Sequence, residues 1–95
     1  MFISIRRYKV NPDNIAEIAK RAQAGFVPII KGSPGFVAYY GLDTGDGTGA
    51  TVTIFEDKAG MEESNRRAAT WVKENLAGLL DSPPEITMGD VLWSG

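Results

Sequence analysis

The stretch that decides the fold runs from Thr51 to Leu80, TVTIFEDKAGMEESNRRAATWVKENLAGLL. Its first part belongs to a segment, Ala50 to Glu56, that is rich in β-branched and aromatic residues and predicts a buried strand. Asp57 is a good N-cap, and the sequence after it predicts the longest helix of the chain, from Lys58 to about Leu79. We expect the other segments to pack against this strand and helix.

Three more strands and one more helix are predicted around this unit. Apolar residues at helical spacing predict a helix between residues 15 and 30. Pro28 should kink it near Ala24 and Gly25, because the proline ring conflicts with the preceding turn. The strand pattern recurs in three further segments, which are 2–10, 36–42 and 85–93. Gly89 is expected to mark a bulge in the last of them.

Two connections are also predicted. Thr44 to Gly49, TGDGTG, predicts a hairpin loop. A phosphate-binding loop is the less favoured alternative, because the segment joins two strands and leads into no helix. Ser82-Pro83-Pro84 should end the second helical segment and redirect the chain.

The resulting order of elements is βαββαβ within a single domain, residues 1–95. This order predicts an α+β, ferredoxin-like fold, in which two helices cover one face of a four-stranded antiparallel sheet.

The other face of the predicted sheet is the unusual one. An exposed sheet face should alternate with the buried one and carry mainly polar residues. In FVAYYGL and in TVTIF both alternating sets contain apolar side chains. Strands that are apolar on both sides need cover on both sides, and two helices cover only one. We therefore predict a homodimer joined through the sheet face.

Composition limits the functions that the chain can have. Its 95 residues are 43% hydrophobic and 23% charged, which is ordinary for a globular domain. The net charge of −2 provides no basic excess for phosphates, so no nucleic-acid partner is expected. No apolar run approaches the roughly 18 residues that span a bilayer, so no membrane partner is expected either. The start, MFISIRRYKV, lacks a signal-peptide layout and predicts a cytoplasmic protein.

Cysteine and histidine are both absent. Their absence removes disulfides, thiolate nucleophiles, the commonest general base and the usual ligands of zinc and haem. No spacing of the remaining residues is typical of a metal site or of a Ser/His/Asp set. The sequence therefore predicts neither a metal nor a cofactor.

Asn65 is the first candidate site residue. At helical spacing it lies near the centre of an otherwise apolar face, which comprises Met61, Asn65, Ala68, Ala69, Val72, Leu76, Leu79 and Leu80. Burying an unpartnered amide costs about 1–3 kcal/mol, so something should hydrogen-bond it. That partner is either a neighbouring backbone or a ligand in a pocket. The small Ala68 leaves room for a close strand or for a ligand.

Trp71 and Ser64 lie at one edge of the same face. Trp71 could form the wall of a pocket for a flat apolar ligand, or it could pack over a sheet edge or the dimer seam. Ser64 is a candidate ligand-binding residue beside it.

Two pairs in the strands supply further candidates. Arg6 and Arg7 point to opposite faces, so one of them must be buried and needs a carboxylate, for which Asp90 and Glu56 are available, or a ligand anion. Tyr39 and Tyr40 also point to opposite faces. The one on the helix side could donate a hydrogen bond to a bound oxygen, or it could be a packed tyrosine with a satisfied hydroxyl.

Several short motifs resemble those of a known family. They are Pro34-Gly35-Phe36, Phe55-Glu56-Asp57, the helix from Glu63 to Val72, and Gly89-Asp90-Val91. In order and spacing they are similar to antibiotic biosynthesis monooxygenase-like domains of the dimeric α/β-barrel superfamily. The resemblance spans essentially the whole chain. It implies two protomers joined through their sheets and a pocket between sheet and helices in each.

The resemblance also bears on chemistry. The family's haem-degrading branch needs a histidine on the second helix, where this chain has Asn65, and a tryptophan near the position of Phe55. Phe55 is therefore added to the ligand-binding candidates, but haem is not expected. Other members oxidise polycyclic aromatic phenols without a cofactor. This implies that a small apolar or aromatic ligand binds here and is oxidised with the help of Asn65, Tyr39, Tyr40 or Trp71. A non-catalytic ligand-binding or accessory dimer is the alternative.

Overall fold

A computed structural model of the protein describes residues 1–80 and 83–95. Its sheet contains four antiparallel strands, which are β1 (Phe2–Lys9), β2 (Phe36–Asp43), β3 (Thr48–Phe55) and β4 (Glu85–Asp90). They lie across the sheet in the order β2-β3-β1-β4. The predicted α+β, ferredoxin-like arrangement is therefore confirmed.

The helices form a layer on one face of this sheet. The first helical segment comprises a 3-10 turn (Pro12–Asn14), helix α1 (Ile15–Arg21), a π-helical turn (Ala22–Phe26) and helix α2 (Val27–Lys31); the second segment is helix α3 (Lys58–Asn75). In the part of the chain that the structure describes, no helix is long and apolar enough to cross a membrane.

The irregularity predicted in the first helix is a π-helical turn. It contains Ala24 and Gly25, and Pro28 lies in the first turn of α2 immediately after it. A proline removes one backbone donor and crowds the carbonyl four residues earlier, which is that of Ala24. The wider turn accommodates this conflict while the chain continues as a helix, and it keeps Phe26 buried against the sheet.

Helix α3 begins as predicted and ends earlier. The Asp57 carboxylate accepts a hydrogen bond of 2.8 Å from the Gly60 backbone N–H, as an N-cap should. The helix ends at Asn75 rather than near Leu79, so the predicted end is wrong. Gly78 adopts a left-handed conformation, with φ of +84°. Leu80 then forms an isolated β-bridge with Val10, and this tertiary contact is available only once the helix has ended.

Two details of the strands also differ from the prediction. β4 ends at Asp90 instead of Trp93, and residues 91–95 have no regular structure. Gly89 pairs with Ile3 in a regular register, and the irregularity in the sheet lies instead between Phe36 and Ala38. The predicted turn at Ser82-Pro83-Pro84 includes Ser82, which lies outside the described residues.

The core lies between the sheet and the helices. Its buried members come from β1, the π-helical turn, α2, β3 and α3; they are Phe2, Phe26, Ile30, Phe55 and Met61. Phe55 packs edge-on against Phe36, with ring centroids 5.9 Å apart. The cluster fills one end of the space under the helices and leaves the other end open.

The face of the sheet that turns away from the helices carries a contiguous set of apolar side chains. Because side chains alternate along each strand, residues opposite the buried set share this outer face. They include Ile3 and Ile5 of β1, Val52 and Ile54 of β3, and Ala38, Tyr40 and Leu42 of β2. Tyr40 is 57% exposed. A contiguous apolar surface of this kind usually marks an interface.

Candidate functional site

A cavity of about 450 Å³ lies between the sheet and the helical layer, beside the core. Its sheet side is formed by residues of β1, β2 and β3 that point toward the helices, including Arg6, Tyr8 and Tyr39. Its helix side is formed by α1, the π-helical turn and α3. The cavity exists because small residues, such as Ala22 and Ala68, stand at positions where larger side chains would reach the sheet.

The face that α3 turns toward the sheet keeps most of the predicted residues and is shifted toward Ser64 and Trp71. Ser64, which was expected at the edge of the face, is 3% exposed, whereas Asn65 is half-buried and Ala69 is exposed. Met61, Ser64, Ala68 and Trp71 point inward at the spacing i, i+3, i+7 and i+10, and Asn65 and Val72 line the cavity beside them. Hydropathy misplaces this face because it counts the serine as an outward residue.

Asn65 lines the cavity, and its side chain has a weak partner. The amide nitrogen Nδ2 donates to Sδ of Met88 at 3.1 Å. A thioether sulfur is a weak acceptor, so this contact replaces little of what the amide loses on leaving water. The expected alternative, a hydrogen bond from this side chain to neighbouring backbone, is not found within residues 1–80 and 83–95.

Arg6 is the buried member of the arginine pair. It is 7% exposed and lines the cavity, while Arg7 lies on the outer face. Its Nη2 donates to the backbone carbonyl of Asn65 at 3.3 Å. The expected pairing with Asp90 or Glu56 is wrong. Phe2 pairs with Asp90 on one side and with Phe55, the residue before Glu56, on the other. Both carboxylates therefore lie about four residues, or ~13 Å, from Arg6 along β1.

Tyr39 is the tyrosine on the helix side. Its ring packs edge-on against Phe26, with centroids 5.4 Å apart. Burial, followed by the nearby Tyr8, raises the pKa of Tyr39 to about 12, against a smaller lowering by Arg6. In the described part of the chain its hydroxyl has no hydrogen-bond partner. At neutral pH it is therefore a protonated donor next to the cavity.

We expect Tyr39→Phe to make the protein more resistant to alkali. A phenol whose pKa is raised by folding stays protonated in the native state while the unfolded chain ionises, so its stabilising effect is complete below pH 10 and is lost between pH 10 and about 12. Between pH 9 and pH 11 the wild type should therefore lose on the order of 1 kcal/mol more unfolding free energy than Tyr39→Phe does. Urea titrations at the two pH values measure this difference, and equal losses would contradict it.

Trp71 packs on the first helical segment and lines the cavity. Its ring centroid is 5.5 Å from that of Phe26. A Cβ at Gly25 would lie 3.1 Å from the indole Nε1, so the glycine allows the close approach of the indole. Trp71 thus lies over the π-helical turn and lines the cavity, as expected of a pocket wall; a position over a sheet edge or the dimer seam was the other expectation.

The structure brings together six of the nine candidate residues. Arg6, Tyr39, Ser64, Asn65, Ala68 and Trp71 line the cavity. The other three lie elsewhere: Tyr40 and Arg7 are on the outer face of the sheet, and Phe55 is 0% exposed within the core. Tyr8 and Thr53, which were not singled out, also line the cavity. Tyr8 is two residues from Arg6 on β1, and Thr53 lies on the same face of the neighbouring β3. This period of two could have identified them.

Carboxylates are sparse at this site. Asp43 lines the cavity, but its Oδ1 accepts a hydrogen bond of 2.9 Å from the Gly45 backbone N–H in the hairpin loop. Within residues 1–80 and 83–95, no group of three or more acidic side chains is close enough to hold a metal ion.

The sequence matches no protein-family model and no curated protein. Solved structures do match. A protein of unknown function from Nitrosomonas europaea is 25% identical with a TM-score of 0.83, over 99% of this chain and 91% of that one. A putative antibiotic biosynthesis monooxygenase from the same organism is 16% identical with a TM-score of 0.78, over 98% and 100% of the two chains.

A third match is a monooxygenase from Streptomyces coelicolor, solved in complex with the ligand nanaomycin D. It is 20% identical with a TM-score of 0.77, over 98% of this chain and 92% of that one. The chain therefore has the fold of the antibiotic biosynthesis monooxygenase-like proteins.

Proposed function

We propose that the cavity binds a small, flat aromatic molecule and that the protein oxidises it with molecular oxygen, without a cofactor. The observation that carries this proposal is the cavity itself. Its volume of about 450 Å³ lies within the usual range of small-molecule sites, roughly 300–1,000 Å³. Phe26, Trp71 and Val72 offer apolar surface for an aromatic ring, and Tyr39 and Asn65 offer hydrogen-bond donors.

The chemistry requires little of the protein. Oxygen adds to the electron-rich ring carbon of a bound phenolate, and the resulting hydroperoxide loses water to give a quinone. The phenol O–H hydrogen and the hydrogen of the attacked carbon leave in that water with one oxygen atom, while the other oxygen stays on the ring. Protein groups contribute by excluding water and by donating hydrogen bonds to the developing oxygen anion. The neutral Tyr39 hydroxyl is suited to the second task.

The matched structures support the proposal at the level of the fold. Two of the three are a monooxygenase and a putative monooxygenase, and one of these was solved with a ligand. Fold alone does not determine activity, so the cavity has to carry the functional part of the proposal.

The second candidate function is ligand binding without catalysis. The observation in its favour is that the chain contains no histidine, so the cavity lining lacks the commonest general base. Such a protein would bind the same aromatic class and return it unchanged. A cytoplasmic location stays a prediction from the sequence in either case.

We also propose that the protein is a homodimer that buries the outer face of the sheet. The face carries contiguous apolar residues from three neighbouring strands, including Ile5, Ile54 and Tyr40. An isologous contact between two copies covers the same patch on both, which suits the contiguous apolar part of this face.

Filling the cavity tests the function. We expect Ala68→Trp to reduce kcat/KM for oxygen uptake with anthrone or a quinol by at least about tenfold, because the new indole occupies the space of the ligand. Oxygen consumption and quenching of tryptophan fluorescence by anthraquinone measure turnover and binding separately.

Ala69→Trp is the matched control, since Ala69 is the exposed neighbour on the same helix. It should behave like the wild type. Unchanged binding in Ala68→Trp would exclude the cavity as the site. Anthraquinone binding without oxygen uptake on any phenol or quinol would favour the non-catalytic alternative.

A further inference from the structure

We infer that the ligand of this cavity is an aromatic anion, a carboxylate or an acidic phenolate that is already ionised in solution, and that Arg6 is the residue that recognises its charge. The inference rests on the proposed function, because it specifies the chemistry of the ligand in the same cavity.

The first observation is the environment of Arg6. Arg6 is 7% exposed as a residue, and buried arginines are usually compensated by a carboxylate. The structure gives it one protein hydrogen bond, of 3.3 Å to the neutral carbonyl of Asn65. Arginine carries several N–H donors in a planar fork, so most of them remain available on the cavity side.

The second observation is where the nearby acids point. Glu63 of α3 pairs with Arg66 and Arg67 on the outer side of that helix. The Asp43 carboxylate is engaged with the backbone of its own hairpin loop. Among residues 1–80 and 83–95, no carboxylate forms an ion pair with Arg6.

The third observation is that two hydroxyl groups that line the cavity with Arg6, those of Tyr39 and Ser64, are neutral. The Tyr39 hydroxyl stays protonated at neutral pH, and Ser64 of α3 adds a buried hydroxyl. An anionic ligand oxygen could accept hydrogen bonds from the guanidinium and from a neutral hydroxyl at the same time, so this set of donors suits an anion. A neutral ligand would leave the guanidinium uncompensated.

The remaining lining specifies the body of the ligand. Phe26, Trp71 and Val72 surround the space next to this polar group and favour a flat apolar ring. An anion on an aromatic ring therefore satisfies both parts of the cavity. A ligand that arrives as a phenolate also needs no general base, which agrees with a chain that contains no histidine.

Two probes of the same shape and different charge test the inference. Anthraquinone-2-carboxylate and anthraquinone-2-carboxamide are titrated against the wild type by calorimetry at pH 7. We expect the carboxylate to bind at least about tenfold more tightly, because a single charge-assisted contact in a buried site exceeds that factor. Equal, measurable affinities would overturn the inference and leave the proposed function intact. Absence of binding by both probes, together with no oxygen uptake on phenols, would overturn both.

Variants then identify Arg6 as the source of the preference. Arg6→Gln should abolish the preference for the carboxylate, whereas Arg66→Gln, which removes an equal charge from the exposed face of α3, should preserve it. Arg6→Gln is expected to keep the wild-type melting temperature, since it removes a buried charge that forms no ion pair with a carboxylate of residues 1–80 and 83–95. A preference that survives in Arg6→Gln would overturn the assignment. So would a large drop in melting temperature, which would indicate a structural arginine.

Discussion

Tyr40→Lys is expected to turn the proposed dimer into monomers at micromolar concentration, with an increase in Kd on the order of 100-fold or more. The tyrosine is 57% exposed in the protomer, so the substitution removes little from the folded chain itself. In a dimer joined through the outer face, the same substitution places a lysine at two symmetry-related positions of an apolar interface. Each copy loses aromatic contact area and must desolvate or redirect an ammonium group.

Ile29→Lys provides the matched control for this experiment. Ile29 lies on α2, in the helical layer away from the sheet face, and is 44% exposed. The Ile29→Lys substitution introduces the same charge at a comparable apolar position and should leave the oligomeric state unchanged. Light scattering coupled to gel filtration measures the mass of all three proteins. A wild type that is monomeric at micromolar concentration would refute the dimer, and an intact Tyr40→Lys dimer would place the interface elsewhere.

Phe55→Ala is expected to lower the unfolding free energy by about 3–5 kcal/mol, a large part of the 5–15 kcal/mol that holds an ordinary domain together. The side chain is 0% exposed and is part of the cluster that joins β3 to both helical segments. The chain cannot easily collapse around the gap, because Gly35 and Gly60 already bring backbone close to the ring. A Cβ at Gly60 would lie 2.9 Å from Cδ2 of Phe55.

Urea unfolding at a fixed protein concentration measures this loss, and a fixed concentration is needed because dimerisation adds to apparent stability. Ile29→Ala, which truncates a partly exposed residue, should cost less than about 1 kcal/mol. A loss below 1.5 kcal/mol for Phe55→Ala would contradict the packing described for the core. The folded fraction of Phe55→Ala should bind anthraquinone as the wild type does, because Phe55 does not line the cavity. This comparison separates a core residue from a ligand-binding one.

The arginine and tyrosine pairs show how far alternation along a strand can lead. Alternation requires Arg6 and Arg7 to point to opposite faces, and Tyr39 and Tyr40 likewise, because the pleat has a period of two. It does not say which member of each pair meets the helices, since that depends on strand register and helix placement. The pairing of Phe2 with Asp90 places the expected carboxylate partner of Arg6 at the other end of the strand. Only the register shows that Asp90 and Glu56 lie too far along the strand to pair with the buried arginine.

Helix α3 shows which features of a helix local sequence can predict and which it cannot. Its start was predictable from Asp57, since capping is a contact between residues three positions apart. Its end and its rotation were not. Leu80 leaves the helix to pair with Val10, and the buried face includes Ser64, whose polarity gives no sign of its burial.

The sequence by itself determined the order of the elements, the place of the irregularity before Pro28 and the presence of apolar residues on both sheet faces. Periodicity, caps and proline geometry act between residues close in the chain. Tertiary structure alone decided that small residues leave a cavity of about 450 Å³ beside the core. It also decided that Arg6, Tyr39 and Asn65 line the same cavity and that Tyr40, Arg7 and Phe55 lie outside it. These outcomes depend on the volumes and registers of segments far apart in the chain, which no local pattern encodes.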